Sequence, residues 1–175
     1  MARPVRTPTS PRTRRSLPPI VGERPRVLIL GSMPGEESLR RRQYYAHPQN
    51  QFWRILGELL GAARELEYMR RLEILQQQRI ALWDVARICV RAASSDATIR
   101  AAVANDISGL LAREPAIGAV LCNGTKAHEL FVRLVAAALP RPVRVERLPS
   151  TSPANASMPY ARKLALWRRA IASPS

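Results

Sequence analysis

Four short apolar runs set the strongest constraint on how this chain can fold. They cover residues 27–30, 80–85, 117–122 and 143–148, and stretches with helical periodicity separate them. A short run that is apolar on both faces is typical of a strand in a parallel sheet with helices packed on both sides. We therefore predict an α/β fold built on a four-stranded parallel sheet.

The segments between the runs are predicted as helices. The expected helices cover residues 50–61, 65–78, 96–113, a stretch from the Asn123-Gly124 turn to about residue 139, and 160–171, with Ser94 or Ser95 as the N-cap of the third. Residues 1–25 are rich in Pro and Arg, which predicts a flexible basic tail that adds at most nonspecific affinity for DNA. Within that tail, the apolar residues 17–20 can pack on the edge of the domain formed by residues 26–175.

The charge of the chain indicates a polyanionic partner. The sequence has 28 Lys and Arg against 13 Asp and Glu, a net charge of +15, which favours nucleic acid or an anionic membrane surface. No apolar run approaches the roughly 20 residues needed to span a bilayer, and no secretory signal is recognisable. Cys89 and Cys122 lie in apolar stretches without metal-ligand spacing, so we expect buried thiols, a cytoplasmic protein, and no metal or cofactor.

Ligands of such sheets bind beyond the carboxyl ends of the strands. The first strand ends in the sequence GSMPG, where a tight turn at Ser32, Met33, Pro34 and Gly35 can expose backbone N–H groups. The other strand ends are Asp84, the Asn123-Gly124 turn, and the Pro-Ser-rich residues 148–153. These four ends are the predicted site.

A second segment, residues 43–53, combines two tyrosines with a polar loop. Tyr44 and Tyr45 can form a platform on which a base stacks, or they can be ordinary core aromatics. Phe52 and Trp53 open an amphipathic helix and are predicted to belong to the core.

Three motifs together resemble one protein family. GSMPG, followed by YYAHPQNQFW and near the C-terminus by LPSTSPANA, resembles the uracil-DNA glycosylase superfamily, and within it the hypoxanthine-DNA (deoxyinosine) glycosylase branch. The AHPxNxFW pattern also resembles the mismatch-specific uracil/thymine glycosylases. The resemblance extends over residues 26–169 and implies a three-layer α/β/α fold. It also implies a monomeric hydrolase of N-glycosyl bonds in base excision repair, with DNA carrying a deaminated base as its substrate.

The first motif departs from the family in one position. Most relatives carry Asp or Asn where this chain has Met33, which can neither orient nor activate a water. The resemblance therefore implies that Asn50 holds the hydrolytic water, since the hypoxanthine branch is thought to use an Asn there. The alternative is that Asn50, just ahead of QFWRILGELL, caps a helix. One amide can also serve both roles.

The resemblance also assigns base-binding residues. Tyr45 falls where relatives stack an aromatic ring on the extruded base, and Asp84 where several relatives read the base edge with Asn. An acceptor at Asp84 would select hypoxanthine N1–H or uracil N3–H over adenine and cytosine, which lack that proton. Alternatively, Asp84 caps a loop or pairs with Arg87 or Arg91. His47 lies in the same loop as Tyr45 and can contact base or phosphate.

LPSTSPANA matches the family's second motif, a loop that enters the minor groove. Ser150, Thr151, Ser152 and Pro153 are accordingly predicted to contact DNA, with hydroxyls and N–H groups that can bind phosphates. We expect no lysine near these motifs, which predicts a monofunctional enzyme without Schiff-base chemistry.

The predicted function is therefore excision of a deaminated base, with hypoxanthine preferred. Two alternatives stay open at this point. One is a glycosylase that prefers uracil; the other is a noncatalytic nucleic-acid-binding module, with Met33 marking a dead site.

Overall fold

A computed structural model of the chain describes residues 12–92 and 94–173. Its strands are β1 (Arg12–Arg15), β2 (Val27–Gly31), β3 (Ile80–Asp84), β4 (Ala86–Arg91), β5 (Arg100–Ala104), β6 (Ala119–Asn123) and β7 (Arg144–Leu148). Its α-helices are α1 (Glu36–Arg41), α2 (Phe52–Leu60), α3 (Tyr68–Gln77), α4 (Ile107–Arg113), α5 (Thr125–Leu134) and α6 (Tyr160–Ala172), with short 3₁₀ turns at Asp96–Thr98 and Ala136–Ala138.

The predicted four-stranded parallel sheet is confirmed, with the strand order β3-β2-β6-β7. Every residue of β2, β3 and β6 is buried, because helices cover both faces. On one face, alternate residues such as Leu28 and Leu30 pack with α4 and α5. On the other face, Val27 and Ile29 pack with α2, α3 and α6. The result is the expected three-layer α/β/α architecture.

A second, three-stranded sheet was not predicted. Its order is β1-β4-β5, and both pairings are antiparallel. The helix expected over residues 96–113 is wrong in its first half, where the chain forms the Asp96–Thr98 turn and β5 before α4 begins at Ile107. The alanine-rich sequence of β5 favours a helix, but hydrogen bonds to β4 and the burial of Ile99 against the core override that preference.

The flexible tail predicted for residues 1–25 needs correction where the structure describes it. β1 pairs with β4, and the backbone of Ile20 exchanges hydrogen bonds with Leu82 at 2.8 and 2.9 Å. Backbone pairing to a strand needs no apolar side chains, so composition gave no sign of it. The expected packing of residues 17–20 on the domain edge is confirmed, since Leu17 and Ile20 contact the core. Residues 1–11 lie outside the described part.

Two further features of the described chain bear on the predictions. Cys89 and Cys122 are buried free thiols, as expected. No helix among the described residues is both long enough and apolar enough to cross a bilayer.

Candidate active site

A cleft of about 940 Å³ lies at the carboxyl edge of the parallel sheet. It receives residues from the ends of all four parallel strands, as expected for a sheet of this kind. All of the predicted site residues line it: Ser32, Met33, Pro34, Gly35, Tyr45, His47, Asn50, Asp84, Ser150, Thr151, Ser152 and Pro153. The fold therefore brings together three motifs that are far apart in sequence.

The turn after β2, residues 31–35, is held from outside by two charged residues. The Arg91 guanidinium donates to the carbonyl of Met33 at 3.2 Å and also to the carbonyl of Pro34. Ser32 Oγ donates to Asp96 Oδ2 at 2.7 Å, and Arg91 Nη1 lies 3.7 Å from Asp96 Oδ1. These contacts fix both the carbonyls and the first side chain of the turn. Met33 itself is 5% exposed and packs into the apolar core under the cleft.

Sequence reasoning missed the roles of Arg91 and Asp96. Arg91 is 1% exposed at the end of β4, and burial lowers the pKa of its guanidinium. Burial also raises the pKa of Asp96, against the opposing effects of Ser32 and Arg91. The one available signal was the polar cluster at residues 94–96 directly after an apolar segment, which was interpreted as a helix start.

Tyr45 stands in a strained but well-supported loop. Its φ of +54° is in the left-handed region, which is uncommon for a bulky side chain and unfavourable by about 1–3 kcal/mol. Trp53 Nε1 donates to the Tyr44 carbonyl at 2.8 Å, and Ser38 Oγ accepts from the Ala46 N–H at 3.1 Å. One face of the Tyr45 ring stacks on buried Phe52, with centroids 3.9 Å apart. Phe52 and Trp53 are core residues, as predicted.

Two buried polar atoms at the floor of the cleft have no hydrogen-bond partner in the described part of the chain. They are the hydroxyl of Tyr45 and Oδ2 of Asp84. Both flank Gly31: a Cβ there would lie 2.4 Å from Asp84 Oδ1 and 3.0 Å from the Tyr45 hydroxyl. The Asn123 amide lowers the pKa of Tyr45 against the larger effect of burial, but it does not reach hydrogen-bond geometry.

The electrostatics of Asp84 differ from those of an ordinary surface carboxylate. Burial, reinforced by the negative charge of Asp96, raises the pKa of Asp84 to about 8. No ion pair within the described residues joins Asp84 to Arg87 or Arg91; Arg87 is exposed and Arg91 serves the turn after β2. The raised pKa favours the neutral carboxyl form of Asp84 at neutral pH.

Asn50 combines a local structural contact with exposure to the cleft. Its Oδ1 accepts from the Phe52 N–H at 3.0 Å, at the start of α2. Its Nδ2 makes no hydrogen bond to the described residues and is a free donor in the cleft. Neighbouring His47 is exposed, and its Nδ1 accepts from the Gln49 N–H at 3.2 Å. Asn50 thus supports the start of α2 from the position before the N-cap residue Gln51, and its role in holding a water stays a prediction.

The loop after β7 is anchored by Thr151. Asn123 Nδ2 donates to Thr151 Oγ1 and Asn123 Oδ1 accepts from the Thr151 N–H, both at 2.9 Å. The Thr151 carbonyl accepts from the Gln51 N–H at 2.9 Å. Because Thr151 is fully buried, the predicted contact between its hydroxyl and a phosphate is wrong. Ser150 and Ser152 are half-buried and Pro153 is exposed, so these three can face a ligand.

Both lysines lie near the motifs in the folded chain. Lys126 lines the cleft, and its Nζ lies 3.3 Å from Glu129 Oε2. Lys163 donates from Nζ to Gln51 Oε1 at 2.8 Å and to the Asn155 carbonyl at 3.2 Å. The premise that no lysine lies near the motifs is therefore wrong, because Lys126 on α5 lines the cleft and Lys163 on α6 contacts Gln51 and Asn155.

The described residues contain no group of three or more His, Cys, Asp or Glu side chains that could bind a metal. The polar groups at the cleft include amides, hydroxyls, the Asp84 carboxyl and backbone donors, together with charged side chains such as Asp96, Lys126 and Arg147. Such a set can bind an uncharged planar ring and position a water.

Comparison with known protein families identifies the class of protein. A sequence profile described as "Uracil DNA glycosylase superfamily" matches residues 18–172. The chain belongs to this superfamily, it is a DNA glycosylase, and its substrate is DNA. The family predicted from the three motifs is confirmed, and the noncatalytic alternative is set aside.

Individual relatives narrow the comparison. The chain is 40% identical over 117 residues to a protein of Methanosarcina barkeri named "Hypoxanthine DNA glycosylase", covering 66% of this chain and 74% of that one. A protein of Methanosarcina acetivorans with the same name is 39% identical over the same shares. A solution NMR structure from Methanosarcina acetivorans, named as a "putative Uracil DNA glycosylase", has a TM-score of 0.76 and 34% identity, covering 93% of this chain and all of that one.

Proposed function

We propose that this protein hydrolyses the N-glycosidic bond of hypoxanthine in DNA, as a step of base excision repair. The observation that carries the proposal is the pair of unpartnered buried polar atoms at the cleft floor, Tyr45 Oη and Asp84 Oδ2. Buried polar groups are normally hydrogen-bonded, so two orphans in one cleft indicate a polar ligand. The two Methanosarcina relatives named for hypoxanthine support the choice of base.

The chemistry of Asp84 fits a deaminated base. A neutral carboxyl group has one donor and one acceptor side by side. It can accept from hypoxanthine N1–H and donate to hypoxanthine O6, forming two hydrogen bonds at once. The proton can sit on either carboxyl oxygen, so the neutral acid could also donate to adenine N1 and accept from the adenine amino group; these two hydrogen bonds alone do not exclude adenine, and the preference for hypoxanthine rests on the named relatives.

The Tyr45 ring can stack on the same base. Phe52 covers one face of the Tyr45 ring, so the partly exposed remainder faces the cleft and can stack on an extruded base. Its buried hydroxyl lies in the plane of the ring, so it is available to a polar group beside the stacked base. Reaching the cleft requires flipping the nucleotide out of the duplex, which costs a few kcal/mol and least for a mispaired base.

The turn after β2 can stabilise the departing base. Because a trans peptide points its N–H opposite to its C=O, the Gly35 N–H points away from Arg91, which binds the Pro34 carbonyl. Backbone donors fixed in this way stabilise negative charge that develops on a leaving group. Pro34 has no N–H, so the donors of this turn come from Ser32, Met33 and Gly35.

We assign the hydrolytic water to Asn50. Its Oδ1 is held by the Phe52 N–H, which fixes the side chain and leaves Nδ2 to bind the oxygen of a water. The sugar develops positive charge in the transition state, so a positioned water can suffice without a strong base. Lys163 is buried and hydrogen-bonded and Lys126 is paired with Glu129, which supports monofunctional chemistry.

Excision assays test the proposed function directly. Single- and double-stranded oligonucleotides carrying one deoxyinosine, deoxyuridine or deoxyxanthosine are incubated with the enzyme, treated with alkali and analysed for strand cleavage. Deoxyinosine should be processed fastest, and borohydride should trap no covalent complex. Faster processing of deoxyuridine would establish the uracil-preferring alternative, and no cleavage of any substrate would overturn the proposal.

Asn50 is tested by separating its two contacts. Asn50→Ala should lower the single-turnover excision rate by about 100-fold, the loss typical of a misplaced reacting group, while its stability falls by only about 1 kcal/mol. Asn50→Ser keeps an acceptor for the Phe52 N–H and should recover stability but not rate. Gln49→Ala, at the exposed neighbouring residue, is the matched control and should behave like the wild type. A fully active Asn50→Ala enzyme would restrict Asn50 to the structural role.

A further inference from the structure

A buried lysine outside the motifs connects the two loops that carry them. Lys163 lies on α6 and is 1% exposed. No carboxylate within ion-pair distance of its ammonium is found in the described residues. Its partners are neutral oxygens: Gln51 Oε1 at 2.8 Å and the Asn155 carbonyl at 3.2 Å.

These two acceptors belong to different loops. Gln51 directly follows Asn50 and precedes α2, so it is part of the loop that carries the water-binding amide. Asn155 belongs to the loop after β7, where its Nδ2 donates to the Ser150 carbonyl at 3.0 Å. The Gln51 N–H also donates to Thr151 across the same junction. The Lys163 ammonium therefore bridges the side of the cleft with Asn50 to the predicted DNA-binding loop.

The burial of this ammonium calls for a specific explanation. An unpaired charge in the interior is unfavourable by several kcal/mol, whereas an apolar side chain of similar length fills such a position without that penalty. Burial lowers the pKa of Lys163, which is the electrostatic signature of the same penalty. A buried ammonium that is kept despite this desolvation penalty is expected to contribute specific hydrogen bonds, which an apolar side chain cannot make.

We propose that Lys163 is a positioning residue, which holds the loop of Asn50 and the loop of Ser150–Asn155 at the separation needed to aim the water at the flipped nucleotide. The inference rests on the proposed function of Asn50. Lys163 touches neither base nor water; it acts through Gln51 on one side and through the Asn155 carbonyl on the other. A displacement of about 1 Å in such a constellation can reduce the rate about 100-fold.

The test compares Lys163→Met with Arg162→Met, an exposed neighbour on the same helix, which loses the same charge. Lys163→Met should lower the single-turnover rate of hypoxanthine excision by about 10- to 100-fold. The Kd for lesion-containing DNA should change by less than about threefold. Arg162→Met should keep the wild-type rate. Equal rates for the two variants would overturn the proposal.

A second comparison distinguishes positioning from a merely structural role. In an Asn50→Ala background, Lys163→Met should cause no further loss of rate, because the water that it helps to aim is no longer held. Additive losses would overturn the proposal. If Lys163→Met does not fold, Gln51→Leu removes one of the two acceptors instead, and it must lower the rate about tenfold for the proposal to stand, as expected for losing about one charge-assisted hydrogen bond.

The two levels of failure are distinguishable. Absence of excision by the wild type would reject the proposed function itself. Normal excision by the wild type, a slow Asn50→Ala variant and a fast Lys163→Met variant would reject only the role of Lys163.

Discussion

The two sides of the cleft are built from different interactions. On one side, the loop around Asn50 meets the loop around Thr151 through amide and hydroxyl hydrogen bonds, with the Lys163 ammonium behind them. On the other side, the turn after β2 is held by the buried guanidinium of Arg91 and by Asp96. In the proposed mechanism the first side holds the water and the second supports the leaving base, so both must be placed accurately.

The contrast shows how motif residues depend on residues outside the motifs. GSMPG supplies a turn, but its orientation comes from β4, a strand of the unpredicted second sheet, and from the Asp96–Thr98 turn between β4 and β5. On the opposite side, the motif residues largely hold one another, and Lys163 adds one contact from α6. We therefore expect the turn after β2 to be the more sensitive of the two to substitutions outside its own motif.

The largest effect outside the motifs is expected for Arg91→Met. The change leaves the carbonyls of Met33 and Pro34 without their donor and Asp96 without its cation. Unfolding free energy measured by denaturant titration should fall by about 2–4 kcal/mol, and single-turnover excision by about 100-fold, because the donors for the leaving base are displaced.

Arg87→Met is the control for this prediction. Arg87 lies on the same strand with an exposed side chain, and its replacement should change stability by no more than about 0.5 kcal/mol. If the two variants lose stability equally, the turn does not depend on the second sheet, and the contrast between the two sides of the cleft fails.

An intermediate effect is expected for Asp84→Asn, and it should depend on pH. The pKa of Asp84 is raised from 3.8 to about 8, so the folded state binds more protons than the unfolded state between these values, and stability falls as pH rises through that window. Asparagine lacks this titration. The unfolding free energy of Asp84→Asn minus that of the wild type should therefore increase by at least about 1 kcal/mol from pH 5 to pH 8.

The same variant tests how the base is recognised. The asparagine side chain reproduces the donor and acceptor of a neutral carboxyl group, so excision at pH 7 should stay within a few-fold of the wild type. Above pH 8 the wild-type rate should decline and that of Asp84→Asn should not. Asp106→Asn, at an exposed carboxylate outside the cleft, controls for the change of residue type. Parallel rate profiles for the wild type and Asp84→Asn would contradict a neutral acid at the cleft floor.

The smallest effect is expected for Ser32→Ala. It removes one hydrogen bond to Asp96, at 2.7 Å, and leaves both contacts of Arg91 with the turn intact. Stability should fall by about 1 kcal/mol, and excision by less than about tenfold, a step of 1.4 kcal/mol. Ser94→Ala, which removes an exposed acceptor of the Glu36 N–H, should cost less. A larger loss for Ser32→Ala than for Arg91→Met would show that the hydroxyl, and not the guanidinium, orients the turn.

Much of the fold follows from local pattern. The strands β2, β3 and β6 were identifiable because burial on both faces favours apolar side chains at successive positions, and the helices because one face of each is apolar. The edge strand β7 is only partly buried and carries Arg144, Glu146 and Arg147 among its apolar residues. β1, β4 and β5 escaped prediction because β1 is almost entirely charged and β5 is rich in alanine, a residue that favours helices. Their pairing is made by the backbone, which leaves little trace in composition.

By itself, the sequence determined the parallel sheet, most of the helices, the family, and the motif residues that gather at the carboxyl edge, because strand periodicity and motif spacing are properties of neighbouring residues. Only the tertiary structure decided how those residues act. It left Asp84 and Tyr45 with unpartnered buried atoms, removed Thr151 from the surface, and placed Lys163 beside Gln51 across 112 positions of sequence. Burial, proton affinity and long-range contact depend on what the completed fold packs around each group, and that is set by distance in space.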